Sequence, residues 1–160
     1  MATIYISIGS NINPAENIQY ALQDLKQTFG EIACSTHYES KSVGFEGDNF
    51  INLVASAATE LDILAVAEHL HKIEDRHGRD RSGPKFSSRS LDLDLLLYDG
   101  EIFEQGKLKI PRDEILFNAF VLRPLAELAP DLQHPVEAKT YTELWQAFDQ
   151  KSQQLWPIDS

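Results

Sequence analysis

The spacing of apolar residues along this chain switches between a period of two and a period of three to four. The order of those switches constrains the fold more than any other feature. Residues 3–8 are β-branched and apolar, which predicts a buried strand that ends at Gly9-Ser10-Asn11. Asn13 then stands as a helix N-cap before Pro14, with Glu16 three residues after it. Ile18, Ala21, Leu22, Leu25 and Phe29 recur at helical spacing, and Gly30 ends the run. Residues 32–43 predict a second strand and residues 50–58 a third. Asp62 caps a second helix that turns Ile63, Val66, Ala67, Leu70 and Ile73 inward. Residues 91–98 predict a fourth strand, closed by the turn signal Asp99-Gly100. A short strand near 108–110, a helical piece around 121–128 and a short helix near 141–148 complete the pattern.

The order β-α-β-β-α-β predicts an α+β ferredoxin-like sandwich, with helices packed on a mainly antiparallel sheet and a C-terminal extension. The 160 residues contain no repeat and no low-complexity linker, so a single domain over 1–160 is expected. The one cysteine, Cys34, excludes a disulfide framework and any zinc site built on several cysteines, and reads as a small strand residue. Lys+Arg number 14 and Asp+Glu 25, a net charge of −11, which disfavours nucleic-acid partners and anionic membranes. No apolar run approaches the ~18 residues of a membrane span, and no signal segment leads the chain, so a cytoplasmic protein is expected. The five histidines show no metal-ligand spacing and read as surface residues.

The sharpest chemistry lies in Arg89-Ser90-Leu91-Asp92-Leu93-Asp94-Leu95. On a strand, Asp92 and Asp94 share one face while Leu91, Leu93 and Leu95 share the other and enter the core. The carboxylates stand ~6.6 Å apart along the strand and can converge on a pair of hard cations. Magnesium binds carboxylate and phosphate oxygens, so the pair suits a nucleotide-phosphate site. Lys72, Arg76, Arg79, Arg81, Lys85 and Arg89 are six of the 14 basic residues and fall within 18 positions of an otherwise acidic chain. Cations there would clamp the phosphates that the metals face from the other side. Gly9-Ser10-Asn11, at a strand-to-helix turn, can present backbone N–H groups to a ligand.

Gly9-Ser10-Asn11, Arg79-x-Arg81 and Arg89-x-x-Asp92-Leu93-Asp94 together resemble the 6-hydroxymethyl-7,8-dihydropterin pyrophosphokinase family, over residues 3–148. The resemblance implies a ferredoxin-like α+β fold and pyrophosphate transfer from ATP to a pterin alcohol in folate biosynthesis. It makes Asp92 and Asp94 the ligands of two magnesium ions. Arg79 and Arg89 become phosphate-binding arginines, and Arg81 and Lys85 fall in a loop closing over ATP. Leu95, Lys109 and Ile110 match positions that cradle the adenine, partly through backbone groups, and Arg112 adds a cation toward the phosphates. Phe50 and Phe120 match two rings that sandwich the pterin, Asn52 the amide that reads its edge, and Ser40 and Val43 further contacts; Asn11 is placed with them. Small-molecule partners only, and a monomer, are expected.

Several positions depart from the family pattern. Lys85-Phe86-Ser87-Ser88 replaces Arg-Trp-Gly-Pro, Pro111-Arg112 replaces Pro-His, Asn118 replaces an arginine, and Lys41-Ser42 replaces a proline pair. A lysine keeps the charge of an arginine and loses its fork. These changes touch the phosphate clamp and the closing loop, and motivate a second expectation: a catalytically weakened relative that binds pterin or nucleotide.

Overall fold

The structure is a computed structural model and describes residues 1–41, 49–77 and 91–158. The elements follow in the order β1 (Ala2–Ser10), α1 (Pro14–Phe29), β2 (Ile32–Cys34), β3 (His37–Ser40), β4 (Phe50–Thr59), α2 (Ile63–Arg76) and β5 (Asp92–Tyr98). Then come β6 (Phe103–Gln105), β7 (Leu108–Ile110), α3 (Glu114–Phe117), α4 (Ala119–Leu128), α5 (Tyr141–Ala147) and β8 (Leu155–Ile158). The main sheet runs β5-β1-β4-β3-β8, with β2 also paired to β4, and every pairing in it is antiparallel. Strands β6 and β7 form a separate hairpin.

Each face of the sheet carries its own apolar layer. Ile4, Ile6, Ile8, Leu53, Leu91, Leu93 and Leu95 pack against Ile18 and Leu25 of α1 and Val66, Leu70 and Ile73 of α2. Val54, Leu96 and Leu97 pack instead with Val121, Leu122 and Leu125 of α4 and Tyr141 of α5. The expected inward turn of Leu91, Leu93 and Leu95 is therefore present. It breaks at Leu96, where pairing shifts from Ile6↔Leu95 to Tyr5↔Leu97. The extra residue is a bulge, and it sends Leu97 to the face opposite Leu95.

Four local expectations are corrected. The strand expected over 32–43 breaks at Ser35, whose N–H donates to the Val54 carbonyl (2.9 Å) and whose Oγ accepts the Val54 N–H (3.0 Å). Register moves from Cys34↔Ala55 to Tyr38↔Asn52, one residue out of step. Asn13 makes no side-chain cap; it sits left-handed at φ 42°, a conformation asparagine tolerates, and α1 begins behind it at Pro14. Strand β1 runs on to Ser10, so Gly9 lies inside a ladder rather than in a turn. Finally, His134 is buried, and its Nδ1 accepts the N–H groups of Val136 and Glu137, both at 3.1 Å. The expected caps at Asp62, whose Oδ1 accepts Ala65 N–H at 2.8 Å, and at Gly30 are present.

Burial holds the His134 imidazole below its ordinary pKa, against the pull of Glu137. The folded chain thus favours the neutral ring, and the unfolded chain takes up a proton first as pH falls. His134 therefore stabilises the fold above pH ~6.5, and that contribution is lost as pH drops through the lowered native value. We expect the melting temperature to fall between about pH 7 and pH 5, and His134→Asn, which keeps an acceptor without titrating, to flatten the slope. An unchanged slope in the variant contradicts this assignment.

Candidate active site

The register of β1 between β4 and β5 builds the candidate site. Gly9 stands opposite Asp92 on one side and Asn52 on the other, and Asn52 in turn stands opposite Tyr38. One step along, Ser7 stands opposite Asp94 and Val54. Directly opposed residues share a face, so Asp92, Asp94, Asn52, Tyr38 and Val54 all lie on the side that α4 covers. Phe50 and Ser40, opposed two residues further on, belong to the same side. Asp92 and Asn52 are two strand spacings apart, about 10 Å.

Gly9 is what makes this row possible. A Cβ there would lie 2.5 Å from Oδ1 of Asn52, whose side chain leans over the glycine and is 9% exposed. Ser10 and Asn11 are buried just beyond. Phe120 lies in the first turn of α4, partly buried against the second apolar layer. Ser40 and Phe120 line a common cavity of about 220 Å³, together with Lys41, Ala119 and residues 152–155.

The helix α4 is tied to the sheet through Glu127. Its carboxylate accepts the Tyr38 hydroxyl (2.5 Å) and both the N–H (2.7 Å) and hydroxyl (2.9 Å) of Thr36. Burial works against the charge, but these donors and the Arg123 guanidinium hold the Glu127 carboxyl below the usual range. Arg123 also stacks over the Tyr38 ring, 4.7 Å from its centroid.

Around the aspartates, Nη2 of Arg112 lies 3.4 Å from Asp94 Oδ1 while its Nε holds Glu114 at 2.9 Å. Arg112 N–H donates to the Leu96 carbonyl at 3.1 Å, fixing the cation beside β5. Leu95 and Ile110 turn their side chains into the first apolar layer, so only their backbone groups remain for a nucleotide. Lys109 reaches outward to Asp113 at 2.9 Å. Val43, Arg79, Arg81, Lys85 and Arg89 lie outside the described residues.

One contact had not been expected from the sequence. Glu74, 3% exposed on α2, accepts the Leu93 N–H at 2.8 Å through Oε2. Strand β5 is the rim of the sheet, so this carboxylate holds it from the side opposite β1, at the residue between the two aspartates. The available signal was an acid four residues after Leu70, on the apolar face of a helix.

Among the described residues no group of three or more His, Cys, Asp and Glu could hold a metal. Asp92 and Asp94 would offer two carboxylates to a metal. That donor set fits magnesium, a hard ion that keeps several waters.

An antiparallel sheet with helices on both faces, carrying an aspartate pair and an amide on one of them, defines an α+β sandwich with its candidate site on the α4 side. The model of the 7,8-dihydro-6-hydroxymethylpterin-pyrophosphokinase family matches residues 5–130. The 2-amino-4-hydroxy-6-hydroxymethyldihydropteridine pyrophosphokinase of Haemophilus influenzae is 38% identical, over 98% of this chain and 100% of that one. That of Pseudomonas aeruginosa is 39% identical, over 82% of this chain and 83% of its own. The chain therefore belongs to this family, and it is an ATP-dependent diphosphotransferase of folate biosynthesis. The crystal structure of HPPK-DHPS from Plasmodium falciparum shares the fold, with a TM-score of 0.72 at 14% identity over 91% of this chain. This chain spans 43% of that one.

Two variants probe the geometry. Gly9→Ala pushes the Asn52 amide aside and, on the expectation that this amide reads the pterin edge, should raise the pterin KM about tenfold or more, with the far-UV spectrum unchanged. Glu74→Ala strips an acceptor from a buried N–H and should cost about 1–3 kcal/mol of stability in a denaturant titration. Glu74→Gln, which keeps an acceptor oxygen, should recover part of that loss.

Proposed function

We propose that the reaction runs on the α4 side of the sheet. The hydroxymethyl oxygen of 6-hydroxymethyl-7,8-dihydropterin attacks the β-phosphorus of ATP in line, the bond to the α,β-bridging oxygen breaks, the hydroxyl proton is released, and AMP leaves. The observation that carries this reading is the row Asp92–Gly9–Asn52, which sets a carboxylate pair about 10 Å from a fixed amide on one face. Asn52 reads the donor and acceptor edge of the pterin, Phe50 and Phe120 stack on its faces, and Ser40, Val43 and Asn11 complete the pocket. Asp92 and Asp94 hold two magnesium ions; when bound, these supply the positive charge that orients and neutralises the triphosphate.

Arg112 already lies beside Asp94 and would exchange that contact for phosphate oxygens as ATP enters. Arg79 and Arg89, on sequence grounds, bind phosphate oxygens, and Arg81 and Lys85 of the same sequence segment add charge for ATP. Lys109 and the backbone of Leu95 and Ile110 receive the adenine. We take the chain to act as a single-domain monomer, and the demand for ATP supports a cytoplasmic setting.

Separation of AMP from ADP in a magnesium-dependent assay tests the reaction: AMP formed one-for-one with pterin diphosphate is expected, and ADP overturns it. Asp94→Ala should lower turnover a hundredfold or more, on the order of the loss of one preorganised electrostatic group, while the chain stays folded. Unchanged turnover in that variant removes Asp94 from the metal site.

A further inference from the structure

The family match ends at residue 130, yet the last strand of the chain reaches back to the candidate pterin pocket. Strand β8 pairs with β3 from His37↔Ile158 to Ser40↔Leu155, and Nε1 of Trp156 donates to Glu39 at 2.7 Å. Just ahead of β8, the Gln153 side chain makes two bonds to the backbone. Its Oε1 accepts the Ala119 N–H at 2.8 Å, and its Nε2 donates to the Phe117 carbonyl at 2.7 Å.

Those two groups flank Asn118, the junction of α3 and α4. Ala119 carries the first N–H of α4, one of the donors that a helix leaves without an internal partner. Asn118 makes no side-chain cap, so Gln153 caps the helix from 34 positions away. The next residue is Phe120. Residues 152–155 also form one wall of the cavity that Ser40 and Phe120 line.

We propose that Gln153 is a positioning residue for the pterin: it fixes the start of α4, and with it the Phe120 ring, while residues 152–155 close the pocket from the side. This rests on the reading that Phe120 and Ser40 contact the pterin. Gln153→Ala removes both bonds, and Gln153→Glu keeps the acceptor for Ala119 but loses the donor to Phe117.

The test measures KM for pterin and for ATP separately in the full-length chain, with Asn52→Ala as the reference for pterin contact. We expect Gln153→Ala to raise the pterin KM about tenfold, with the ATP KM within about twofold, and Gln153→Glu to lie between it and the unaltered chain. An unchanged pterin KM in Gln153→Ala, where Asn52→Ala raises it, overturns the positioning role alone. Equal rises in both KM values, with a lowered melting temperature, reduce Gln153 to a general stabiliser and overturn it too. If neither variant moves the pterin KM, the placement of the pterin fails and this role fails with it.

Discussion

Strand β1 is held on both sides, and its register decides what the rest of the molecule can do. A slip of one residue against β5 would turn Asp92 and Asp94 into the layer occupied by Ile18 and Leu70, and set leucines on the face that carries Asn52. Such a slip costs two buried carboxylates as well as several exposed leucines, so register is strongly specified. The same strand brings Gly9 beneath Asn52. A side chain there would close the gap that lets the amide lean across. The aspartates and the amide belong to different strands far apart in sequence, and their spacing is as reliable as the sheet itself.

The two faces divide the labour. The α1 and α2 layer is closely apolar, carries Leu91, Leu93 and Leu95, and anchors the rim of β5 through Glu74. The candidate residues gather on the α4 face of the sheet. That helix bridges the two regimes. Glu127, near its C-terminal end, is bonded to Thr36 and Tyr38 where the β2–β3 strand breaks, and Gln153 holds its first N–H. Phe120 therefore sits on a helix whose backbone is restrained at both ends.

Much of this was legible in the sequence, because period-two and period-3.6 patterns report burial directly. The alternation at Leu91-Asp92-Leu93-Asp94-Leu95 placed both carboxylates on one face correctly. It failed at Leu96 and Leu97, since a bulge depends on the partner strand and leaves no mark in the bulged one. Ser35 looked like any polar strand residue, and its break is set by Val54, 19 positions later. His134 carried no spacing that announced its burial; its partners are backbone N–H groups, which every residue but proline has. Strand β8 holds Pro157, which argues against a strand unless it lies at an edge, and edges are known only once the sheet is assembled. The cap from Gln153 was invisible for the same reason: it replaces a local interaction with a distant one.

Among the described residues the sheet ends in two rims, β5 and β8, and each has one backbone donor withheld. Exposed strand edges invite pairing with a second chain, the common route to unwanted association. At β5 the Leu93 N–H that would greet an incoming strand already serves the Glu74 carboxylate. At β8 the residue opposite Tyr38 is Pro157, which has no N–H to offer. A carboxylate that steadies the aspartate strand thus also withholds one backbone donor from a neighbouring strand. Losing it should show in concentration-dependent clumping of the protein as well as in slower chemistry.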